Sequence, residues 1–229
     1  NWDRLARWNA QHTCCSGRSK RGKTVREIDD DKLGLLLKQT GGMVAASFNC
    51  AITVLGDRLG LYRALGEVGP STSSELASRL QLNERWVREW LHQQTCIGQL
   101  EYDGDHGKFA ISPEAYAVLA DEDHPAYLMG GFDSALAVFP AVSKLEESFR
   151  TGIGMSYDEH GPNCACGIER MGAFTKKHRL VGEIIPKLPG MHDRLVNGAM
   201  VADVGCGGGL ATIILAQAYP ATTFVGYDT

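Results

Sequence analysis

The glycine-rich segment near residue 205 constrains the fold of this chain more than any other part of the sequence. A short apolar strand (residues 201–204) leads into a glycine turn (205–209), a helix follows, and a second apolar strand (223–227) ends in Asp228. Glycines in such a turn let the backbone approach a ligand closely, and an acid after the second strand can accept hydrogen bonds from both hydroxyls of a ribose. The order of elements therefore predicts the beginning of a Rossmann-like α/β domain with a nucleotide-cofactor site in residues 198–229.

The spacing of the glycines distinguishes between cofactors. A dinucleotide-binding turn that opens at Gly205 needs glycine or alanine at position 210, where this chain has Leu210. Here Asp203 lies two residues before Gly205, and glycine recurs at positions 207 and 209. This pattern, completed by Asp228, resembles the first motif of class I S-adenosylmethionine (SAM)-dependent methyltransferases. A glycine turn that only packs a helix onto a sheet is the alternative interpretation.

The resemblance implies a role for each residue of the motif. The turn would surround the methionine and adenosine parts of SAM, Asp228 would bind the ribose, and Asp203 is the acid that opens the motif. The implied cofactor-binding residues are Asp203, Gly205, Cys206, Gly207, Gly209 and Asp228.

The pattern of residues 31–115 predicts a winged helix, with helices followed by a β-hairpin. Residues 32–66 have a helical pattern that Gly41-Gly42 is expected to break in two. A 3–4 spacing predicts one buried face made of Leu55, Leu59, Tyr62 and Leu65.

Two further helices and the hairpin complete this prediction. Thr72-Ser-Ser-Glu75 is a capping box for a short helix, and Asn83 is expected to cap the next helix, over residues 84–94. Trp86, Val87, Trp90 and Leu91 share one face of that second helix. The polar turn at residues 103–107 then joins the two strands of the predicted hairpin.

The charge pattern of the predicted winged helix does not favour DNA binding. The helix in the recognition position carries Glu84, Arg85, Arg88 and Glu89, which sum to zero, and the whole chain has a net charge of −4. Non-specific DNA affinity comes almost entirely from neutralising phosphates, so this surface is a poor candidate. We expect the winged helix to serve packing or homodimer formation instead.

A winged helix joined to a class I SAM motif narrows the resemblance. The chain is similar to small-molecule O-methyltransferases and, more closely, to a bacterial-type family of winged-helix methyltransferases, over residues 43–229. The similar segments are residues 56–65, 83–91, 112–114, 117–122, 155–158 and 201–207. The resemblance implies methyl transfer from SAM to a small molecule. A winged-helix regulator or dimerisation module that binds SAM without catalysis is the alternative.

The resembled fold continues beyond its second strand. The chain is therefore expected to be truncated after that strand and to be inactive on its own.

Residues 116–197 form a predicted linker of helices and loops. Residues 139–149 have a helical pattern, and residues 152–162 are expected to form a long loop. The resemblance implies that this region covers the cofactor, so Tyr157 and His160 could line the pocket; a surface role is the alternative. His178 and His192 are candidate bases on the same terms, and no base is assigned.

Composition fits a soluble globular protein of 229 residues, with 44% apolar and 22% charged residues. The apolar stretch at residues 43–65 contains Asn49, Asp57 and Arg58, so a buried helix is predicted and not a membrane span. Seven cysteines, an odd number, favour a reducing compartment and a cytoplasmic protein. Cys164 and Cys166 are too close for a usual zinc site, and no metal is predicted.

The N-terminal residues 1–30 are expected to form a mobile basic tail. Residues 17–24 match the phosphate-loop pattern, but no apolar strand precedes them. A working phosphate loop follows a buried strand and opens a helix, so nucleotide binding is not predicted there.

Overall fold

The computed structural model of the protein describes residues 27–228. These residues divide into two units, and the boundary between Gly42 and Met43 lies inside the first helix, α1 (Asp30–Arg58). The phosphate-loop pattern at residues 17–24 lies outside the described residues, as does the rest of the basic tail before residue 27.

Helix α1 is continuous through Gly41-Gly42, so the predicted break there is wrong. Each glycine weakens a helix by about 0.5–1 kcal/mol relative to alanine, which does not suffice to end it. The chain turns instead at Gly60, whose φ of 70° is a left-handed conformation that glycine adopts without strain. At its other end, α1 is capped by Asp29, whose side chain accepts a hydrogen bond from the backbone N–H of Lys32 at 3.1 Å.

The winged helix lies in the second unit and has the predicted order of elements. After α1 come α2 (Leu61–Val68), α3 (Ser73–Leu80), α4 (Glu84–Cys96), the antiparallel strands β1 (Glu101–Asp103) and β2 (Lys108–Ala110), and α5 (Pro113–Leu119). The predicted capping box of α3 is complete, because Thr72 and Glu75 each accept a hydrogen bond from the other's backbone N–H, at 3.2 and 2.8 Å. Ser112 caps α5 by accepting from the N–H of Ala115 at 3.1 Å.

The core of the winged helix is built mainly from side chains of α2, α3, α4, β2 and α5. Its most buried members include Tyr62, Leu65, Leu76, Leu91 and Phe109. The two helix faces predicted from the 3–4 spacing are each partly wrong. Leu55 and Leu59 are exposed because the turn at Gly60 interrupts the helical period before α2, and Trp86 is 68% exposed although Trp90 on the same helix is buried.

The linker is mostly helical. It contains α6 (Met129–Thr151), a 3-10 turn (Tyr157–His160), α7 (Pro162–His178), a π-helical turn (Leu180–Ile184), a second 3-10 turn (Ile185–Lys187) and α8 (Met191–Val196). The helix predicted at residues 139–149 is the second half of the longer α6, and the predicted loop at 152–162 contains the first 3-10 turn. Helices α6 and α7 touch through their backbones, because a Cβ on Gly167 would lie 2.5 Å from the carbonyl oxygen of Gly130.

The last elements form a strand-helix-strand unit, as the sequence predicts. Strands β3 (Met200–Val204) and β4 (Thr223–Tyr227) are parallel and are paired in register from end to end, and α9 (Leu210–Ala218) connects them. A small core of Ile185, Leu195 and Tyr219 lies beneath this unit. The expected fold class, a winged helix followed by a helical region and the start of an α/β domain, is confirmed.

Candidate cofactor-binding site

The glycine turn between β3 and α9 lies at the C-terminal ends of two parallel strands. Gly205, Gly207 and Gly209 have φ values of 79°, 58° and 78°, the left-handed region that favours glycine. The N–H of Gly205 donates to the carbonyl oxygen of Tyr227 at 2.8 Å, which ties the turn to the end of β4. Apart from the glycine itself and its neighbours in the chain, no atom of the described residues lies within 4 Å of where a Cβ on Gly205 or Gly209 would be. The turn therefore presents bare backbone that a ligand can approach.

The structure brings Asp228 to the same turn. Its Oδ2 accepts a hydrogen bond from the N–H of Gly207 at 2.5 Å, and its side chain is exposed. Because a carboxylate can accept several hydrogen bonds, this contact with the turn is compatible with further hydrogen bonds to ligand hydroxyls. The glycine turn after β3 and the acid after β4 are therefore in direct contact.

Asp203 and Cys206 contact the framework of the turn. The hydroxyl of Thr212 on α9 donates to Asp203 Oδ2 at 2.6 Å, so Asp203 joins β3 to the helix that follows the turn. Cys206 packs against β4, where a Cβ on Gly226 would lie 2.8 Å from its Sγ. The observed contacts of both side chains hold the turn in shape.

Glu169 of α7 borders the turn, and nothing in the sequence pattern indicated it. A Cβ on Gly207 would lie 3.3 Å from Glu169 Oε2, and a Cβ on Gly208 would lie 3.6 Å from Glu169 Cδ. Glu169 also pairs with Lys176 at 2.9 Å, and both side chains are about three-quarters buried, with 28% and 27% exposed. A largely buried charge pair therefore lies beside the bare backbone of the glycine turn.

Arg170, the residue after Glu169, connects α7 to other helices. Arg170 is the centre of a group of side chains that we call the Arg170 cluster: Asp57, Glu122, Tyr127, Asp133 and Arg170. Its guanidinium lies 2.8 Å from Asp57 Oδ2 and 2.6 Å from Asp133 Oδ2, and both acids are buried, with 8% and 4% exposed. The cluster connects α1, α6 and α7 through charge-assisted hydrogen bonds.

Ionisation in the Arg170 cluster follows from these contacts. Burial alone would lower the pKa of Arg170, but its hydrogen bonds to Asp57 and Asp133 more than offset this and raise the pKa. Burial raises the pKa of Tyr127, whose hydroxyl contacts Arg170. The guanidinium stays charged and the phenol stays protonated at neutral pH.

The side chains proposed from the sequence as pocket-lining residues or candidate bases contact residues outside the glycine turn. The Tyr157 ring lies 6.3 Å from the ring of His160, and His160 lines a cavity of about 340 Å³ between α6 and α7. His178 stacks on Phe174 with 4.8 Å between ring centroids, and His192 Nδ1 lies 3.2 Å from the Tyr219 hydroxyl. None of these contacts involves the glycine turn.

Within residues 27–228, no group of three or more His, Cys, Asp or Glu side chains is arranged to hold a metal ion. None of the helices described there is long and apolar enough to cross a membrane.

The N-terminal half of the second unit matches a known domain family. Residues 47–121 match the Rv2258c-like winged HTH domain, where HTH stands for helix-turn-helix. The match runs from the second half of α1 to the end of α5. A search of curated proteins gives no match.

Three solved methyltransferases have a similar fold. Mitomycin 7-O-methyltransferase MmcR is 17% identical with a TM-score of 0.61, and the match covers 86% of this chain and 59% of that one. A putative O-methyltransferase from Nostoc punctiforme PCC 73102 is 19% identical with a TM-score of 0.58, covering 83% and 55%. Human N-acetylserotonin methyltransferase, solved in complex with SAM, is 14% identical with a TM-score of 0.53, covering 89% and 60%. This chain thus spans less than two thirds of each. The resemblance seen in the sequence is confirmed at the level of the fold.

Proposed function

We propose that the full-length protein containing this chain is a SAM-dependent methyltransferase. The observation that carries the proposal is the glycine turn, in which three left-handed glycines lie at the ends of two parallel strands and the N–H of one of them, Gly207, donates to the acid Asp228. The same arrangement of winged helix, helical linker and strand-helix-strand unit matches the methyltransferase folds. Together, site and fold support this activity better than a cofactor-binding regulator, which the motif alone left open.

The residues of the turn fit this cofactor. Bare backbone at Gly205 and Gly209 gives the ligand room, and the carboxylate of Asp228 can accept hydrogen bonds from ribose hydroxyls. Asp203 keeps α9 in place through Thr212. When bound, SAM supplies a methyl group on a positively charged sulfur, so the protein contributes mainly orientation and exclusion of water.

The methyl acceptor is proposed to be a small molecule. Mitomycin and N-acetylserotonin are the compounds named for two of the proteins that share this architecture. We also propose a reducing compartment, such as the cytoplasm. In support, the cysteines of the described residues are free thiols: Cys50, Cys96, Cys164, Cys166 and Cys206.

Titration calorimetry of SAM into the full-length protein tests the cofactor assignment. Asp228→Asn keeps the shape of the side chain but removes the charge that strengthens its hydrogen bonds to the ribose. We expect SAM affinity to fall roughly ten- to a hundredfold, which corresponds to about 1–3 kcal/mol.

The matched control is Asp193→Asn on α8, which removes one exposed carboxylate away from the turn. It should bind SAM like the parent protein. The proposal is wrong if the parent gives no saturable heat with SAM, or if Asp228→Asn binds as tightly as the control.

A further inference from the structure

We propose that Glu169 binds the α-ammonium group of the methionine part of SAM. This inference rests on the proposed function and adds a residue that lies outside the glycine motif, on helix α7. It predicts that the linker contributes directly to cofactor recognition.

The first argument is the position of the carboxylate. Helix α7 packs against α9, and Glu169 is the side chain that approaches the turn. Its Oε2 lies 3.3 Å from where a Cβ on Gly207 would be, and its Cδ lies 3.6 Å from the equivalent point on Gly208. The side chain therefore occupies the edge of the same space that the bare backbone opens for a ligand.

The second argument is the chemistry of the two partners. An ionised carboxylate can only accept hydrogen bonds, so it selects a donor on the ligand. The ribose hydroxyls of SAM are assigned to Asp228, and Asp203 already accepts a hydrogen bond from Thr212. The ammonium group is the strongest donor that remains on the ligand, and a partly buried carboxylate is its natural partner.

The third argument is that the protein compensates the charge of Glu169 with Lys176 and orients the side chain through the packing of α7. Lys176 Nζ lies 2.9 Å from Glu169 Oε2, which compensates the charge when no cofactor is bound. Gly172 leaves room for this, because a Cβ there would lie 3.3 Å from Lys176 Cε. Successive helical residues point about 100° apart, so the buried contacts of Arg170 fix the rotation of α7 and with it the direction of Glu169.

The test compares two ligands that differ only in the amino-acid part. S-adenosylhomocysteine has the ammonium group, whereas 5′-methylthioadenosine keeps the adenosine and lacks it. Both are titrated calorimetrically into the full-length protein and into Glu169→Gln. We expect this variant to bind S-adenosylhomocysteine about tenfold more weakly and 5′-methylthioadenosine unchanged. Asp228→Asn should weaken both ligands by a similar factor.

Lys176→Met is the matched control, because it breaks the same ion pair and keeps the carboxylate. Because Lys176 no longer competes with the ammonium group for the carboxylate, this variant should bind S-adenosylhomocysteine at least as tightly as the parent, and adding it to Glu169→Gln should not restore the lost affinity. The assignment is overturned if Glu169→Gln leaves the preference between the two ligands unchanged, or if the double variant regains it. If the parent binds neither ligand, the proposed function itself is wrong, and this inference fails with it.

Discussion

Gly56 allows close packing in the winged helix because it has no side chain. A Cβ at this position would lie 2.2 Å from Cζ2 of Trp90, so the indole lies directly on the backbone of α1. Trp90 Nε1 also donates a hydrogen bond to the carbonyl oxygen of Ile52 at 3.0 Å. One buried ring therefore packs against α1 and satisfies its own polar group there.

Replacing Gly56 with alanine should destabilise the protein although alanine favours helix. The added methyl group forces the buried Trp90 to move, and overpacking of this kind costs about 1–3 kcal/mol. Gly42→Ala is the control in the same helix, because a Cβ there would meet no atom of the described residues within 4 Å apart from its own stretch of helix. It should stabilise the protein by about 0.4–1 kcal/mol. Denaturant unfolding measures both, and equal effects would contradict the packing argument.

The same contact shows what the sequence could not reveal about single residues. Helical spacing predicted one face carrying both Trp86 and Trp90, but only Trp90 is buried. The difference comes from the space at Gly56 on another helix. A local pattern gives the period of a helix, while the width of its buried face depends on the neighbour.

At the scale of elements, signals that act within a few residues were predicted well. The capping box at Thr72 acts over three residues, and the structure shows it. The predicted cap at Asn83 stands at the right position, but its side chain makes no capping hydrogen bond. The glycine turn is local in the same sense, since strand, turn and helix follow one another directly. Glu169 was missed because only the packing of α7 on α9 brings it to the turn.

The Arg170 cluster makes a prediction for the linker as an element. Arg170→Met keeps the apolar stem and removes the charge that Asp57 and Asp133 share inside the protein. Removing one partner of a buried ion pair leaves uncompensated charge and costs about 3–5 kcal/mol. We expect a loss near the lower end of that range in denaturant unfolding, because the Arg170 side chain is 21% exposed.

Arg150→Met is the control, because it removes an arginine that pairs only on the surface. Arg150 pairs with Glu146 on the surface of α6, and most of both side chains is in solvent. Exposed pairs contribute about 0–1 kcal/mol, so this variant should unfold almost like the parent. A loss at Arg170 no larger than that at Arg150 would show that the cluster contributes little to stability.

For the whole molecule, the exposed apolar face of α1 supports a homodimer. In the second unit, Met43, Val44 and Phe48 expose most of their side chains although the sequence predicted a buried helix. Apolar side chains grouped on one surface mark interaction sites in soluble proteins. We propose a second copy of the protein as the partner. A nucleic acid is less favoured, because the charged side chains of α4 sum to zero and provide no net positive charge to neutralise phosphates.

Light scattering should therefore show a dimer that Phe48→Glu converts to a monomer. Phe48 is 68% exposed, and a carboxylate there would be buried without a partner in the dimer. Phe149→Glu, at the end of α6, changes a side chain that is 92% exposed and should leave the dimer intact. A monomeric parent at micromolar concentration, or dissociation by both variants, would argue against this interface.

The contact between Gly130 and Gly167 limits how this protein can vary over evolutionary time. Any residue other than glycine adds at least one carbon, and at these two positions that carbon meets backbone atoms at 2.4 and 2.5 Å. Backbone cannot rotate away as a side chain can, so α6 and α7 would have to separate. Every single-nucleotide change that replaces either glycine would then shift the helix that carries Glu169 and Arg170. Sequence variation in the linker is therefore constrained by two glycines that act through the packing of α6 on α7.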